Sequence, residues 1–254
     1  MNKGDIDISA RIDGELVVNG TCFIGANTIL KGKVELGKGV RIANNVVIYG
    51  PVKIGSSSYI GDNAIIGHPI RSHLKTFIKT GDMKDLLVAD GCTIGEETII
   101  RGGCIIYTNS RIGNQVEFGH NVMVREQTEI GNNCTVGTSS VLEGHIKIGS
   151  RVSIQSMVFI PTRTTIEDNV FLGPNCKLTN DKYVMRKKFE LIGPTIKKKA
   201  SIGANAVIMP NIVIEEGAII GAGAVVTKNV PPYSIYSGIP AKLYMKVPED
   251  WNLK

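Results

Sequence analysis

Apolar residues recur at every sixth position of this chain. One register runs from Ile12 and Val18 to Ile66, resumes from Ile94 to Leu178, and returns from Ile202 to Val226. All 30 of its positions are apolar and 20 of them are Ile. With 43% of residues hydrophobic, chance gives such a run about once in 10¹¹. The residue two places earlier is confined to Ala, Cys, Ser, Thr, Val, Ile or Leu. Two inward positions per hexad thus alternate with outward polar ones, which predicts one short strand and one corner per hexad. Glycine often follows the aliphatic residue, as at Gly25, Gly55, Gly113 and Gly203, where a tight corner favours a residue without Cβ. A helix is excluded, because no multiple of 3.6 sustains a period of six across the unbroken run from Ile94 to Leu178.

Two interruptions break the pattern. The first spans 68–91; the step from Ile66 to Ile94 is not a multiple of six, so this segment must loop out. The second spans 179–201. Its residues 182–199 hold seven basic side chains (Lys182, Arg186, Lys187, Lys188, Lys197, Lys198 and Lys199) and one acid, Glu190. That local excess of +6 equals the formal charge of the whole chain, which has 29 Lys and Arg against 23 Asp and Glu. A charge run is ordinarily a solvated loop, but one that concentrates the chain's whole excess beside a polar motif is a candidate for holding phosphates. The predicted organisation is one continuous domain: N-terminal coils 1–67, an extruded loop 68–91, central coils 92–178, a basic loop 179–201, C-terminal coils 202–230 and a tail 231–254.

Composition adds exclusions. The 254 residues are too apolar for a disordered chain, and no apolar run exceeds five residues, so no transmembrane helix is expected. The start, MNKGDIDISA, lacks the apolar core of a secretory signal. A cytoplasmic protein with no membrane or nucleic-acid partner is therefore expected. All five cysteines (Cys22, Cys92, Cys104, Cys134, Cys176) fall on the inward small position and none has zinc spacing. They read as packing residues in a reducing compartment, and no metal is expected.

The hexads resemble those of the hexapeptide-repeat acyltransferases. The resemblance implies an all-β fold, a single left-handed parallel β-helix with three strands per coil. The left hand rests on the resemblance alone, since ordinary crossovers are right-handed. Thirty hexads make about ten coils of three hexads each, roughly 48 Å of column at about 4.8 Å per strand.

A narrower likeness lies in VSIQSMVFIPTRTTIEDNVFLGPNCKLTNDKY followed by PTIKKKASIGANAVIMP. These stretches resemble UDP-2-acetamido-3-amino-2,3-dideoxyglucuronate N-acetyltransferases and related 3-amino-sugar acyltransferases, over residues 92–247. The first coils depart from that pattern, and Val184 stands where a Pro often follows the Tyr. The resemblance implies a nucleotide-linked amino sugar as acceptor. Asn180 would orient its amine, Asp181 would assist, and Gln155, Lys182 and Tyr183 would line its site. The run SIGANAVIMPNIVIEEGAIIGAGAVVTKNVPPYSIYSGIPAK resembles the acyl-CoA end of these enzymes. It implies acetyl-CoA in a groove between subunits of a homotrimer, near the main chain of Ala204 and Ala222. Lys228 and Lys242 would meet its phosphates.

Other histidines compete for the centre. His120, in FGHN, lies two residues after Phe118, where other hexapeptide acyltransferases place a catalytic His that would serve as general base. Phe118 and Leu178 are three and a third coils apart, roughly 16 Å along a regular column. One reacting amine could not then touch both His120 and Asn180. His145 sits on the Asp181 corner two coils away, about 10 Å, and reads equally as a contact to a nucleotide sugar or as a solvent-facing corner residue. The pair His68 and His73, in GHPIRSH, is similar to two ligands of γ-class carbonic anhydrases. A metal site there needs a third ligand, and no His precedes His68.

Overall fold

The computed structural model describes residues 5–87 and 91–251. The outermost residues of segments 1–67 and 231–254, namely 1–4 and 252–254, and residues 88–90 of the first loop lie outside the described residues. The chain divides into two compact units, 1–133 and 134–254. That division falls inside an uninterrupted run of hexads rather than at either insertion.

Each unit is a parallel β-solenoid with three strands per turn, consistent with a left-handed β-helix of hexapeptide repeats. In the first unit one face stacks Asp5–Ile6, Cys22–Ile24, Val40–Ile42, Tyr59–Ile60, Ile99–Ile100 and Glu117–Phe118. In the second, the equivalent face stacks Thr135–Val136, Ser153–Ile154, Phe171–Leu172, Ser201–Ile202, Ile219–Ile220 and Ser234–Ser237. Asp5–Ile6 and Ser234–Ser237 lie beyond the 30 counted hexads and add to the ten expected coils. Partners are one turn of three hexads apart in sequence, as in Ile24↔Ile42 and Ile154↔Leu172. A last strand, Lys242–Lys246, turns back antiparallel on Ser234–Ser237.

The aliphatic register forms the core. Ile24, Leu36, Ile48, Ile60, Leu142, Leu178 and Ile208 are fully buried, each side chain contributing roughly 1.5–3 kcal/mol on burial. Ile12 is 40% exposed, because only the short Asp5–Ile6 strand precedes it and a terminal turn has one packing neighbour fewer.

The small inward position does more than fill space. Thr28 Oγ1 donates to the Ala43 carbonyl (2.8 Å), Ser58 Oγ to Gly95 (2.9 Å) and Ser140 Oγ to Gln155 (3.0 Å). Cys104 Sγ and Cys134 Sγ donate to the corresponding corner carbonyls of Gly119 and Gly149, at 3.1 and 3.2 Å. Cysteine is thus a weak-donor version of the Ser or Thr found elsewhere on the ladder. All five thiols are buried and none is in a disulfide, and burial pushes those of Cys92 and Cys176 up to about 12.

The corners show why glycine follows the aliphatic residue. The left-handed residue comes two places later and is most often Asn, as at Asn27 (φ 55°), Asn45 (57°) and Asn63 (60°). Glycine instead permits close stacking of turns. A Cβ on Gly203 would stand 2.5 Å from the Ala222 nitrogen, a distance no packed carbon tolerates.

Both insertions keep the register of the turns on either side. Around the first, Ile60 pairs with Ile100, where an undisturbed repeat would have reached it at Ile78. The added chain is longer than a whole turn and is not a whole number of hexads. This excursion contains a helix, α1 (Arg71–Thr80), and a 3-10 turn over Met83–Leu86. Around the second, Leu178 pairs with Ile208, where an undisturbed repeat would have supplied Ile196, so two whole hexads are added. The strand Thr195–Ile196 already lies back in the solenoid against Thr165–Ile166. The second excursion therefore ends before Thr195, not at 201.

Candidate functional site

One corner of the second unit carries most of the predicted centre. It follows the stacked aliphatics Leu142, Ile160, Leu178, Ile208 and Val226. The residue two places after Leu178 is Asn180, and two turns further, in the same position after Val226, is Lys228. The spacing of two strands is about 10 Å. Three places after Leu142 comes His145, exposed and left-handed at φ 51°. Arg163 occupies the turn between His145 and Asp181, its N–H donating to the His145 carbonyl (3.2 Å).

The second insertion leaves at this corner. Asn211 N–H, whose periodic acceptor across the insertion would be the Asn180 carbonyl, donates instead to the Ile192 carbonyl at 3.1 Å. Ile192 thus closes the loop that Asp181 opens. Both Asp181 oxygens are spent on that opening: Oδ1 accepts from Tyr183 N–H (2.9 Å) and Oδ2 from Met185 N–H (2.8 Å). Glu190 is ion-paired with Arg163. The Tyr183 ring meets Phe189 edge-on, with centroids 5.4 Å apart, and Lys187 Nζ lies 5.3 Å from its centroid. Lys182 Nζ is 6.0 Å from the same ring. Lys182 and Tyr183, expected at the substrate, pack on each other within the loop.

Asn180 differs from its neighbours. It is half-buried, and among the described residues its amide has no hydrogen-bond partner. An uncommitted amide can present its carbonyl to a donor such as a sugar amine. Lys228 and Lys242 are exposed and enter no ion pair among the described residues. Ala241 N–H donates to the Val225 carbonyl (2.8 Å), which places Lys242 beside that turn.

Gln155, Ala204 and Ala222 share a different corner, the one that follows Ile154, Leu172, Ile202 and Ile220. Gln155 Nε2 donates to Ser153 Oγ at 3.0 Å. Ala204 is half-buried and Ala222 exposed. One protomer therefore does not bring the Ala204 and Ala222 main chain onto the Asn180 corner.

The basic run divides. Lys197, Lys198 and Lys199 lie on the solenoid, not in the loop. Lys197 pairs with Glu167 (2.9 Å) and Lys198 with Glu216 (3.3 Å). The Lys197 ammonium holds the Glu167 carboxyl below the usual range, chiefly through their hydrogen bond. Lys182, Arg186, Lys187 and Lys188 remain as the loop's cations. Nothing in the sequence signals the Arg163–Glu190 clamp beyond Glu190 being the only acid in residues 182–199.

His120 lies in the first unit, exposed on the corner after Phe118. Gly102 and Asp62 occupy that corner on the two preceding turns. A Cβ on Gly102 would reach 3.0 Å from the Asp62 carbonyl and 3.7 Å, ordinary contact, from His120 Nδ1. Asp62 is engaged with Asn44, whose N–H and Nδ2 donate to Oδ1 at 2.9 and 3.1 Å.

His68 and His73 do not converge on a common ligand. His68 Nδ1–H donates to the Pro69 carbonyl (2.8 Å), and its ring lies 4.6 Å from that of Tyr107, tilted by 44°. His73 is on α1, with Nδ1 buried and unpartnered. Among the described residues no three His, Cys, Asp or Glu side chains are grouped to hold a metal ion, so the carbonic-anhydrase-like reading gains no third ligand.

Comparison with known proteins agrees with this architecture. The family described as bacterial transferase hexapeptide (six repeats) matches residues 109–144, 127–162 and 193–228. The hexapeptide repeat of succinyl-transferase matches 21–49. Serine acetyltransferase from Buchnera aphidicola is 44% identical over 54 residues, 21% of each chain. The chain thus spans about a fifth of that relative's length. Among solved structures, LpxA, a UDP-N-acetylglucosamine acyltransferase from Bacteroides fragilis, is 18% identical at a TM-score of 0.46, covering 97% of this chain and 74% of its own. PerB from Caulobacter crescentus, solved with CoA and GDP-perosamine, is 18% identical at a TM-score of 0.39, covering 72% and 70%. The repeat matches agree with a solenoid built of hexapeptide repeats over residues 21–49, 109–162 and 193–228.

Proposed function

We propose that this protein transfers an acetyl group from acetyl-CoA to the amine of a nucleotide-linked amino sugar. The observation that carries this reading is Asn180, whose uncommitted amide stands at the root of the second insertion beside a fully committed Asp181. A neutral amine needs an acceptor to fix one N–H and so aim its lone pair. That lone pair forms the new C–N bond at the thioester carbonyl; collapse of the tetrahedral adduct breaks the C–S bond. The proton leaves nitrogen for the departing thiolate, so a strong base at Asn180 is not required. Lys228, in no ion pair among the described residues, would hold a CoA phosphate.

The Ala204 and Ala222 corner and the Asn180 corner are separate within a protomer. That separation suits a homotrimer in which one subunit's corner faces another's, and a catalytically competent monomer by light scattering would overturn that arrangement. The reaction itself is tested by CoA thiol release with UDP- and dTDP-linked 3-amino sugars. Release with the amine and none with the matching 3-hydroxy sugar is expected. Equal release with the hydroxyl sugar would replace this reading by an acyltransferase that uses His120 as base.

A further inference from the structure

The first insertion has no part in that chemistry, yet its helix is unusually bare. No residue of α1 is buried. His73 and Phe77, i and i+4, are its two half-covered side chains. At 100° per residue the next face holds Leu74 and Ile78, which are 36% and 79% exposed. Beside that pair runs Arg71, Lys75 and Lys79 at i, i+4 and i+8, all exposed. The helix carries no acid. Two carboxylates follow it, and both are occupied. Asp82 Oδ1 accepts from Lys84 N–H (2.9 Å) and Asp85 accepts from the Thr80 hydroxyl.

The excursion is fixed at its far end. Leu86 is buried, and Leu87 packs over Gly32, where an added Cβ would meet its methyls at 3.4 Å. The helix ends at Gly81, left-handed at φ 71°, whose N–H donates to the Phe77 carbonyl (2.8 Å). A short, capped helix on a packed root thus displays two aliphatic side chains next to three cations.

We propose that α1 docks the protein on an anionic lipid surface. Arg71, Lys75 and Lys79 meet headgroup phosphates, and Leu74 and Ile78 enter the boundary with the acyl chains. A soluble anion would use the cations and leave the aliphatic pair in water. A bilayer interface satisfies both. No helix among the described residues is long and apolar enough to cross a membrane, so α1 lies on the surface. The expectation of no membrane partner came from the lengths of apolar runs, which bear on crossing a bilayer and not on lying against it.

Sedimentation of the full chain with phosphatidylcholine vesicles, with and without phosphatidylglycerol, tests this. Binding is expected only to the anionic vesicles, with release on moving from about 0.1 M to about 1 M salt, where the Debye length falls from about 10 to about 3 Å. Leu74→Gln with Ile78→Gln, and separately Lys75→Glu with Lys79→Glu, should each lower the partition by about tenfold or more. Unchanged circular dichroism and melting would show that these variants fold. Wild-type protein that stays in the supernatant with anionic vesicles would overturn the proposal, as would a glutamine variant that pellets like the wild type. If the wild type ignores vesicles while the glutamine variant changes oligomeric mass, α1 is instead an interface between copies of this chain.

Discussion

The two insertions solve one problem, leaving and rejoining a three-hexad repeat, by opposite means. The first is the longer and satisfies much of its backbone internally, in α1 and a 3-10 turn. Its side chains are therefore free to face outward. The second adds only two hexads and forms no helix or strand between Leu178 and Thr195. Side chains hold it instead: Asp181 on two loop amides, Glu190 on Arg163, and Tyr183 against Phe189. A loop stitched in this way spends its carboxylates on itself and leaves its cations outward. The group left uncommitted at its root, Asn180, is the more informative for that reason.

The sharpest way to break this comparison is to delete that amide. If Asn180 orients the acceptor amine, Asn180→Ala removes an interaction needed in the transition state and should lower kcat by roughly 10²–10³. His120→Ala should change kcat by less than about tenfold. Steady-state kinetics of both variants decides it. A nearly dead His120→Ala beside an active Asn180→Ala would move the centre away from the second insertion.

Lys228 tests the same corner two turns on. Its loss should raise the acetyl-CoA KM by about ten- to a hundredfold, the equivalent of roughly 1.5–3 kcal/mol for a charged hydrogen bond, and leave the amino-sugar KM nearly unchanged. An unaltered acetyl-CoA KM would place the phosphates elsewhere. Asp181→Asn should be milder, lowering kcat/KM by roughly three- to tenfold. The amide keeps one acceptor but turns an NH2 toward Tyr183 N–H or Met185 N–H. Asp181→Ala, which frees both, should cost more, and limited proteolysis should then cut near Met185. Full activity of Asp181→Ala would show that the stitching is dispensable.

The fold was legible because burial in a solenoid repeats with the turn, so a period of six in the sequence is a period of six in space. The first insertion was equally plain, since its length is not a whole number of hexads and throws the register out of phase. The second hid its far end, because it adds two whole hexads. Ile196 is in phase whether counted through the loop or across it, and Lys197–Lys199 were read as loop although they lie on the solenoid. Charge could not correct this, because Glu167 and Glu216, which neutralise Lys197 and Lys198, sit on neighbouring turns and far away in sequence. The role of glycine was only half legible. A preference for no Cβ shows in the sequence, but whether it serves φ or the neighbouring turn does not. The commitment of Asp181 to its own loop was open to the ordinary turn reading of an Asn-Asp pair. The candidate site as a ligand-binding unit was legible only by family resemblance, which names residue types and not their hydrogen bonds.

The smallest expected effect lies at the root of the first insertion. Gly67, left-handed at φ 73°, is an extra residue that brings His68 opposite Tyr107. His68 is half-buried, between Tyr49 (6.4 Å between centroids) and Tyr107 (4.6 Å). Lys31 caps the far side of Tyr49 and Arg125 that of Tyr107. Burial holds the imidazole below its ordinary pKa, and the Pro69 carbonyl opposes that shift without cancelling it. Above about pH 6.5 the ring is neutral in both folded and unfolded chains and contributes no pH dependence. As pH falls through that value the unfolded chain takes up the proton first, so stability declines, and the decline ends below the folded pKa. His68→Phe keeps a ring in the stack and removes the proton site. Urea midpoints measured from pH 8 to pH 5 should therefore fall less steeply in the variant than in the wild type. Identical slopes would mean that another group sets the acid response and that the root of the first insertion is electrostatically silent.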